Sequence, residues 1–398
     1  MNQRELFLRH VGQTSPAPVG LEVGRAEGIY LYDYQGKEYI DLIAGVSVSN
    51  VGHRHLSVIK AIQNQLDKYL HLMVYGEYIQ TPQVQLAKKL ATVLPGNIDS
   101  IYFVNSGSEA IEGAMKLAKR ATGRYNIVSF KNAYHGSTHG ALSVMGDEEF
   151  RNRFRPLLPG IKQIEFNKID DLSKIDRSVS CVLIEPIQGE GGVQIPDKQY
   201  LKALRERCTK VGALLIFDEI QTGFGRTGTL FAAQGFDVIP DIICMAKGMG
   251  GGMPIGAFAA EHDLMNTLTS DPILGHITTF GGHPVSCAAA LASLEVILNE
   301  NLAEQTVDKG ALFERLLQHP SIKSIRGKGL FMAVTIDEEI NIFELIQTAM
   351  RCGVMLDPFL FCPNAFRIAP PLIITTKQIE DSCSKILKAL DIITTEKE

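Results

Sequence analysis

Short apolar runs alternate with longer segments of helical spacing along the chain after about residue 55. The runs have the length of strands, and the segments between them repeat apolar residues every three or four positions. This alternation predicts an α/β fold with a mostly parallel sheet, covered on both faces because the runs are apolar throughout. The clearest runs are IYFV (101–104), NIVSF (126–130), CVLIE (181–185), ALLIF (213–217) and DIICMA (241–246).

The two ends of the chain have a different pattern. The segment AEGIYLYDYQGKEYIDL (26–42) predicts a strand pair around YQGK, and the C-terminal part mixes a helix at 291–305 with strands such as GLFMAVTI (329–336). We therefore predict a large domain over residues 51–290 and a small α+β domain over 291–398, which the N-terminal segment 1–50 joins.

Length and composition narrow the class of protein. With 398 residues, 45% hydrophobic and 21% charged, the chain has the size and composition of a soluble globular protein with two subdomains, or with one large domain and a smaller appendage. A net charge of −5 means that the chain has no excess of basic residues with which to bind nucleic acid. No apolar stretch is long enough to predict a membrane-spanning helix. The seven cysteines are scattered, and the N-terminus lacks a secretory signal, so we expect buried thiols in the cytoplasm.

Polar residues follow several of the predicted strands. Ser106–Ser108, Glu185, Asp218 and Lys247 each come at or just after the end of an apolar run. Because parallel strands end at one edge of the sheet, these groups are predicted to share one crevice.

Each of these groups has more than one interpretation. Ser106–Ser108 opens a helix that Gly123 ends, and this start is either an anion site or a simple serine cap. Asp218 could bind a metal, act as a base, face a protonated ring nitrogen, or form a structural ion pair. A metal site is disfavoured, because Gly136 interrupts the helix that His135 and His139 would need.

The stretch CMAKGMGGGMPIGAF (244–258) places Lys247 before a run of glycines. It fits neither of the two common phosphate-binding loops, which leaves a reactive amine or an ordinary surface lysine. A buried amine of lowered pKa is suited to carbonyl chemistry. Pyridoxal phosphate needs such a lysine, an acid for its ring nitrogen, an anion site and a stacking ring, for which Lys247, Asp218, Ser106–Ser108 and Tyr134 are candidates.

These motifs resemble the class III, fold-type I, pyridoxal-phosphate aminotransferases, a group that includes the acetylornithine and ornithine aminotransferases. The resemblance covers nearly the whole chain and implies a large domain with a mostly parallel seven-stranded sheet between helices. In order, the matching blocks are DLIAGVSVSNVGHRH, FVNSGSEA, AYHGST, IEPIQGEGG, FDEIQTGFGRTG, MAKGMGGGMPIGAF, TTFGGHPVSCAAA and FRIAPPLIIT.

The resemblance implies a role for each site residue. Lys247 would be the covalent anchor of the cofactor and would later move the proton between substrate carbon and cofactor C4′. Asp218 would pair with the ring nitrogen, Gln221 with the phenolic oxygen, and Tyr134 would stack on the ring. The rest of the implied cofactor-binding set is Ser106, Gly107 and Ser108 at the phosphate, His135, Glu185 in support, and Thr279, which would reach the phosphate of the neighbouring subunit in a homodimer.

Two further residues would bind substrate. Arg367 would grip a carboxylate with its bidentate fork, and Glu190 would pair with Arg367 while the amino donor binds. Ser137 stands where the ornithine and acetylornithine enzymes typically carry an arginine that helps bind a distal carboxylate or acyl group.

The resulting hypothesis is transfer of an amino group from acetylornithine, ornithine or a related ω-amino acid to 2-oxoglutarate, with no metal. The alternatives are a transaminase for 4-aminobutyrate, lysine or putrescine, and a decarboxylase, epimerase or aminomutase of the same fold. A non-catalytic binding protein of this fold is a further alternative.

Overall fold

The structure, a computed structural model, describes residues 2–395, so Met1 and residues 396–398 of the two predicted terminal segments lie outside the described residues. Its strands are β1 (Val23–Glu27), β2 (Tyr30–Asp33), β3 (Glu38–Asp41), β4 (Ser100–Val104), β5 (Asn126–Phe130), β6 (Ile161–Ile164), β7 (Val179–Ile184), β8 (Leu214–Asp218), β9 (Ile242–Met245), β10 (Gly256–Ala260), β11 (Ile322–Lys328), β12 (Phe331–Ile336), β13 (Val354–Met355), β14 (Asp357–Pro358) and β15 (Ala365–Ile368).

The α-helices are α1 (Gln3–His10), α2 (Ala44–Ser47), α3 (Leu56–Leu66), α4 (Thr81–Ala91), α5 (Gly107–Thr122), α6 (His139–Val144), α7 (Lys198–Val211), α8 (Ala232–Phe236), α9 (His262–Asn266), α10 (Pro284–Asn299), α11 (Leu302–Leu316), α12 (Ile342–Arg351) and α13 (Thr376–Thr395). Short 3-10 helices lie at Asn152–Phe154, Ile169–Lys174, Lys247–Gly250 and Thr267–Thr269.

The central sheet has seven strands in the order β4-β10-β9-β8-β7-β5-β6. Among the described residues, β10 alone runs opposite to the other strands of this sheet, so the remaining six strands end at the same edge. The predicted α/β fold with a mostly parallel seven-stranded sheet is confirmed.

The strands of this sheet are apolar throughout because both faces are covered. In β7, Cys181 and Leu183 pack in one core with α5, whereas Val182 and Ile184 pack in a second core with α7. Each strand therefore contributes apolar side chains alternately to two layers of helices.

Residues in the left-handed backbone region end or interrupt several helices. Gly123, with a φ of 65°, caps the C-terminus of α5, as the sequence predicts. The predicted single helix over 291–305 is wrong. Asn301, with a φ of 50°, separates α10 from α11, and asparagine tolerates this conformation better than most residues.

Two smaller sheets lie outside the central one, in the orders β1-β2-β3-β13 and β11-β12-β15-β14. The pairing of β13 with β3 is parallel and brings the N-terminal strands and the C-terminal part of the chain into one sheet. The boundary predicted at residue 290 falls inside α10, which continues to Asn299. The division into 1–50, 51–290 and 291–398 stays a prediction.

No single helix within residues 2–395 is long and apolar enough to cross a membrane, and α10 and α11 meet that test only as a pair bent by 66°. In the same part of the chain, no group of three or more His, Cys, Asp or Glu side chains is arranged to hold a metal ion. All seven cysteines are free; Cys352 and Cys362 are half-buried and the others are buried.

Candidate active site

A cavity of about 450 Å³ lies at the edge where the parallel strands of the central sheet end. Its wall includes every residue of the predicted cofactor-binding set except Thr279. The lining side chains from that set are Ser106, Gly107, Ser108, Tyr134, His135, Glu185, Asp218, Gln221 and Lys247.

Asp218 is the last residue of β8, and its carboxylate is buried at the cavity. Its Oδ1 accepts a hydrogen bond of 3.0 Å from the backbone N–H of Ile220. Its Oδ2 accepts one of 2.7 Å from Nδ1 of His135, which is buried as well. Since these bonds fix the orientation of the carboxylate, Asp218 is a preorganised anion facing the cavity.

Glu185 follows β7 and joins two loops of the site. Its carboxylate accepts hydrogen bonds from the backbone N–H groups of Tyr134, at 3.1 Å, and Gly189, at 3.0 Å. Burial raises the pKa of Glu185 to about 7, and the nearby charge of Asp218 acts in the same direction. Glu185 therefore holds the tyrosine segment against the loop that carries Glu190.

The start of α5 forms a cradle whose shape depends on glycine. Ser106 is the N-cap, and its hydroxyl accepts a hydrogen bond of 3.2 Å from the backbone N–H of Glu109. A Cβ at Gly107 would lie 2.8 Å from Cδ1 of Ile220, and one at Gly136 would collide with Oγ of Ser108. The first N–H groups of a helix have no partner inside it, so this cradle suits a phosphate.

Lys247 begins the 3-10 helix that follows β9 and has a φ of 47°. The residue is half-buried, and its Nζ has no hydrogen-bond or ion-pair partner within residues 2–395. Burial lowers the pKa of Lys247, although the carboxylates of Glu190, Asp218 and Glu185 oppose this effect. At Gly248, a Cβ would collide with the side chain of Asn50, so glycine allows the backbone beside the lysine to pack closely.

The polar groups of the cavity have capacity left for a ligand. Nε2 of Gln221 and Nε2 of His135 are buried without a hydrogen-bond partner in the described chain. Buried polar atoms are normally paired, so such orphans indicate groups that a bound molecule satisfies. Together with an unpaired amine, a carboxylate and a phosphate cradle, they fit a small aromatic phosphate bearing an aldehyde.

Arg367 and Glu190 form an ion pair and are not among the residues that line the cavity. Arg367 is on β15 with only 1% of its side chain exposed, and its Nη2 donates a hydrogen bond of 2.6 Å to Oε1 of Glu190. Oε2 of Glu190 accepts a hydrogen bond of 3.1 Å from the backbone N–H of Leu360. Both residues are close enough to Lys247 to affect its pKa, so they belong to the same site.

Thr279 and Ser137 are exposed, and neither lines the cavity. Ser137 lies 3.3 Å, hydroxyl to hydroxyl, from Tyr134. Thr279 follows Thr278, whose hydroxyl accepts a hydrogen bond of 3.1 Å from the side chain of Asn105 at the cavity wall. The structure therefore brings the segment of Thr279 beside the site without placing this side chain in it.

Two acidic residues near the site are missing from the sequence-based predictions. Asp357 lies 3.4 Å from Nη1 of Arg367, on the two-residue strand β14. Glu219, next to Asp218, is fully buried and accepts hydrogen bonds from the backbone N–H groups of Ala232 and Ala233. Asp357 lies in a short apolar segment before the strand of Arg367, but that segment does not indicate which residue it pairs with.

Comparison with known proteins agrees with this geometry. The family model described as "Aminotransferase class-III" matches residues 12–390. The chain is 42% identical to the acetylornithine aminotransferase of Methanosarcina mazei, over 90% of this chain and 89% of that protein. It is 37% identical to the acetylornithine aminotransferase of Methanopyrus kandleri, over 98% and 99%.

A solved structure is similar over the same length. The ornithine aminotransferase of Toxoplasma gondii, whose crystals show partial occupancy of pyridoxal phosphate at the active site, superposes with a TM-score of 0.91 at 32% identity. The match covers 98% of this chain and 94% of that chain. Pyridoxal 5′-phosphate is the cofactor of this family, and it is the molecule that the cavity fits.

Proposed function

Because the chain belongs to the class III aminotransferases, we propose that it moves the terminal amino group of acetylornithine, ornithine or a related ω-amino acid to 2-oxoglutarate, giving glutamate. The names of the Methanosarcina, Methanopyrus and Toxoplasma enzymes support the choice of donor. The observation that carries the proposal is the Nζ of Lys247, which has no partner among the described residues and lies in a cavity that Asp218 and Gln221 also line.

Pyridoxal phosphate, when bound, supplies an aldehyde that takes up the amino group and a pyridine ring that withdraws electrons. Lys247 has the properties that this chemistry asks of a protein. Its lowered pKa leaves a larger fraction of the amine unprotonated near neutral pH, so Nζ can bond to a carbonyl carbon. Once the amino group of the substrate has displaced Nζ from that carbon, the freed amine of Lys247 would take a proton from the substrate carbon and return it, as a general base and acid.

The other cavity residues bind and orient. The carboxylate of Asp218, fixed by His135 and Ile220, would keep a proton on a ring nitrogen placed beside it. The buried amide of Gln221 offers a hydrogen bond to a ring oxygen, and Tyr134 offers a stacking face. Ser106–Ser108 would hold the phosphate at the start of α5.

The acceptor would bind through Arg367. Its planar guanidinium suits the bidentate grip of a carboxylate, and its Nε is buried without a partner in the described chain. Glu190 occupies Nη2 in the structure and would have to release it when a 2-oxo acid binds. This exchange would let one pocket accept two dissimilar substrates in turn.

The proposal includes a homodimer with active sites at the subunit interface. Thr279 is exposed beside the cavity, and the apolar side chains around it are exposed too, namely those of Ile273, Leu274, Ile277 and Phe280. Exposed apolar side chains that are grouped in one segment are typical of a protein interface. Light scattering should give twice the molecular mass of the chain, and a monomer that retains full activity would contradict the dimer.

The proposal also places the enzyme in the cytoplasm. Its free cysteines fit a reducing compartment, where disulfides do not form. Cell fractionation with an antibody against the protein would test this placement.

A panel of amino donors with 2-oxoglutarate, scored by the release of glutamate, tests the function. The panel contains acetylornithine, ornithine, lysine, 4-aminobutyrate and putrescine, and the first two are expected to react fastest. If another donor on the panel reacts fastest, the assignment as a transaminase stands and the proposed donor is wrong. Turnover of a donor without any 2-oxo acid would instead indicate a decarboxylase, an epimerase or an aminomutase.

A further inference from the structure

The guanidinium of Arg367 is bracketed by two carboxylates. Nη2 donates to Glu190, while Nη1 faces Oδ2 of Asp357 at 3.4 Å. The aromatic ring of Phe359 packs on the guanidinium, with 4.7 Å between Cζ and the ring centroid. Only Nε lacks a partner in the described chain, so any carboxylate that binds here must compete with the resident anions.

Strand register holds Asp357 in this position. Asp357 on β14 is the direct antiparallel partner of Arg367 on β15. Residues opposite each other in such a pair point to the same face of the sheet. The side chain of Asp357 has no other hydrogen-bond or ion-pair partner within residues 2–395, so the guanidinium of Arg367 is its direct partner.

The two carboxylates differ in how they are held. Glu190 has a second anchor in the backbone N–H of Leu360, and it bonds to Arg367 with good geometry. Asp357 contributes charge at 3.4 Å without a hydrogen bond to the guanidinium. Arg367 between two carboxylates leaves a net charge of about −1 on these three side chains, and they are buried enough for charges to interact more strongly than in water. If Glu190 moves aside, Asp357 still opposes an incoming anion.

We propose that Asp357 is a specificity-determining residue that weakens the binding of carboxylates at Arg367. This inference rests on the proposed function, because it takes Arg367 as the acceptor site. Asp357 keeps the pocket selective for amino donors that present no carboxylate to Arg367, and it raises the acceptor concentration that the second half of the reaction needs.

Glutarate binding tests the inference without turnover, because this dicarboxylate has neither an amino nor an oxo group. Calorimetry on the holoenzyme compares the wild type with Asp357→Asn, which removes the charge and keeps the shape. We expect glutarate to bind on the order of tenfold more tightly to the variant, the size of a screened repulsion over a few ångströms. Asp357→Ser removes the same charge with a smaller side chain and should change affinity in the same direction, so the test does not depend on one variant folding.

Two controls separate charge at this position from other effects. Asp357→Glu keeps the charge and should bind glutarate like the wild type. Asp308→Asn removes one negative charge from an exposed position on α11 and should also leave the affinity unchanged. If Asn and Ser at position 357 leave glutarate binding unchanged or weaken it, the inference is wrong.

Steady-state kinetics give a second readout. In Asp357→Asn the KM for 2-oxoglutarate should fall on the order of tenfold, while kcat and the KM of the donor change less than about twofold. If Asp357 had a purely structural role, the substitution would instead lower kcat and raise the KM of both substrates. Failure of the proposed function would be recognised separately, because the wild-type enzyme would then release no glutamate with any donor on the panel.

Discussion

Asp218 and Glu219 are adjacent buried carboxylates at the end of β8, yet their surroundings differ. Glu219 accepts hydrogen bonds from Ala232, Ala233 and Thr222, which secures the start of α8 to the loop after β8. Asp218 lines the cavity and is bonded to His135, whose second ring nitrogen has no partner in the described chain. Both carboxylates are thus buried and hydrogen-bonded. What distinguishes Asp218 is that it lines the cavity, next to a histidine nitrogen that has no partner in the described chain.

Replacement of each carboxylate by its amide gives the sharpest test of this contrast. Asp218→Asn should lower kcat on the order of 10²-fold, because a neutral amide no longer stabilises a protonated ring nitrogen. The free energy of unfolding should change by about 1 kcal/mol or less, because the amide oxygen still accepts from His135. Turnover assays and urea unfolding measure the two effects, and an active Asp218→Asn enzyme would remove the distinction between the two residues.

Glu185 lines the cavity, as Asp218 does, and it also accepts hydrogen bonds from two backbone N–H groups, as Glu219 does. Its pKa is raised from 4.5 to about 7, so the folded state holds a proton that the unfolded chain has lost between these pH values. The free energy of unfolding should therefore fall as pH rises from about 4.5 to about 7, by about 3 kcal/mol in total.

Glu185→Gln is the matched control for this pH dependence. It cannot ionise, so its free energy of unfolding should lack that decline, and the two proteins should diverge above about pH 5. Urea unfolding of both proteins at pH 5 and pH 8 tests this. Parallel pH profiles would mean that Glu185 is ionised in the folded protein across the whole range.

Glu219→Gln is the converse of Asp218→Asn. The amide NH₂ would face backbone donors that the carboxylate oxygens satisfy, so we expect a loss of about 2 kcal/mol in the free energy of unfolding. The KM values of both substrates should stay close to those of the wild type. A large fall in kcat at full stability would place Glu219 with Asp218 in the chemistry.

Among these substitutions, that of Ser106 is expected to have the smallest effect. Like Glu185, Ser106 accepts a hydrogen bond from the backbone and also lines the cavity. Ser106→Ala removes the N-cap of α5 and should cost about 1 kcal/mol of stability. Ser106→Asp restores a capping oxygen but adds a negative charge at the phosphate cradle. Equilibrium dialysis should therefore show weaker cofactor binding for the aspartate than for the alanine, and equal binding would separate Ser106 from the phosphate.

The sequence predicts the strands of the central sheet well, but it predicts contacts between side chains from distant parts of the chain poorly. Apolar runs are sufficient to place the strands, and parallel strands bring their ends together, so the sequence alone groups Glu185, Asp218 and Lys247 at one edge of the sheet. The role of Glu219 depends on α8, which packs against it from farther along the chain. Asp357 acts through strand register, which a two-residue strand does not reveal. The break at Asn301 depends on one backbone angle within an otherwise helical pattern.

The central claim is that Lys247 is the amine to which the cofactor attaches. Borohydride reduction of the holoenzyme should fix pyridoxyl phosphate to the protein, and peptide mass spectrometry should locate it on Lys247. Lys247→Ala, treated in the same way, should carry no label and show no turnover. A label on a different lysine, or turnover by the alanine variant, would contradict the account.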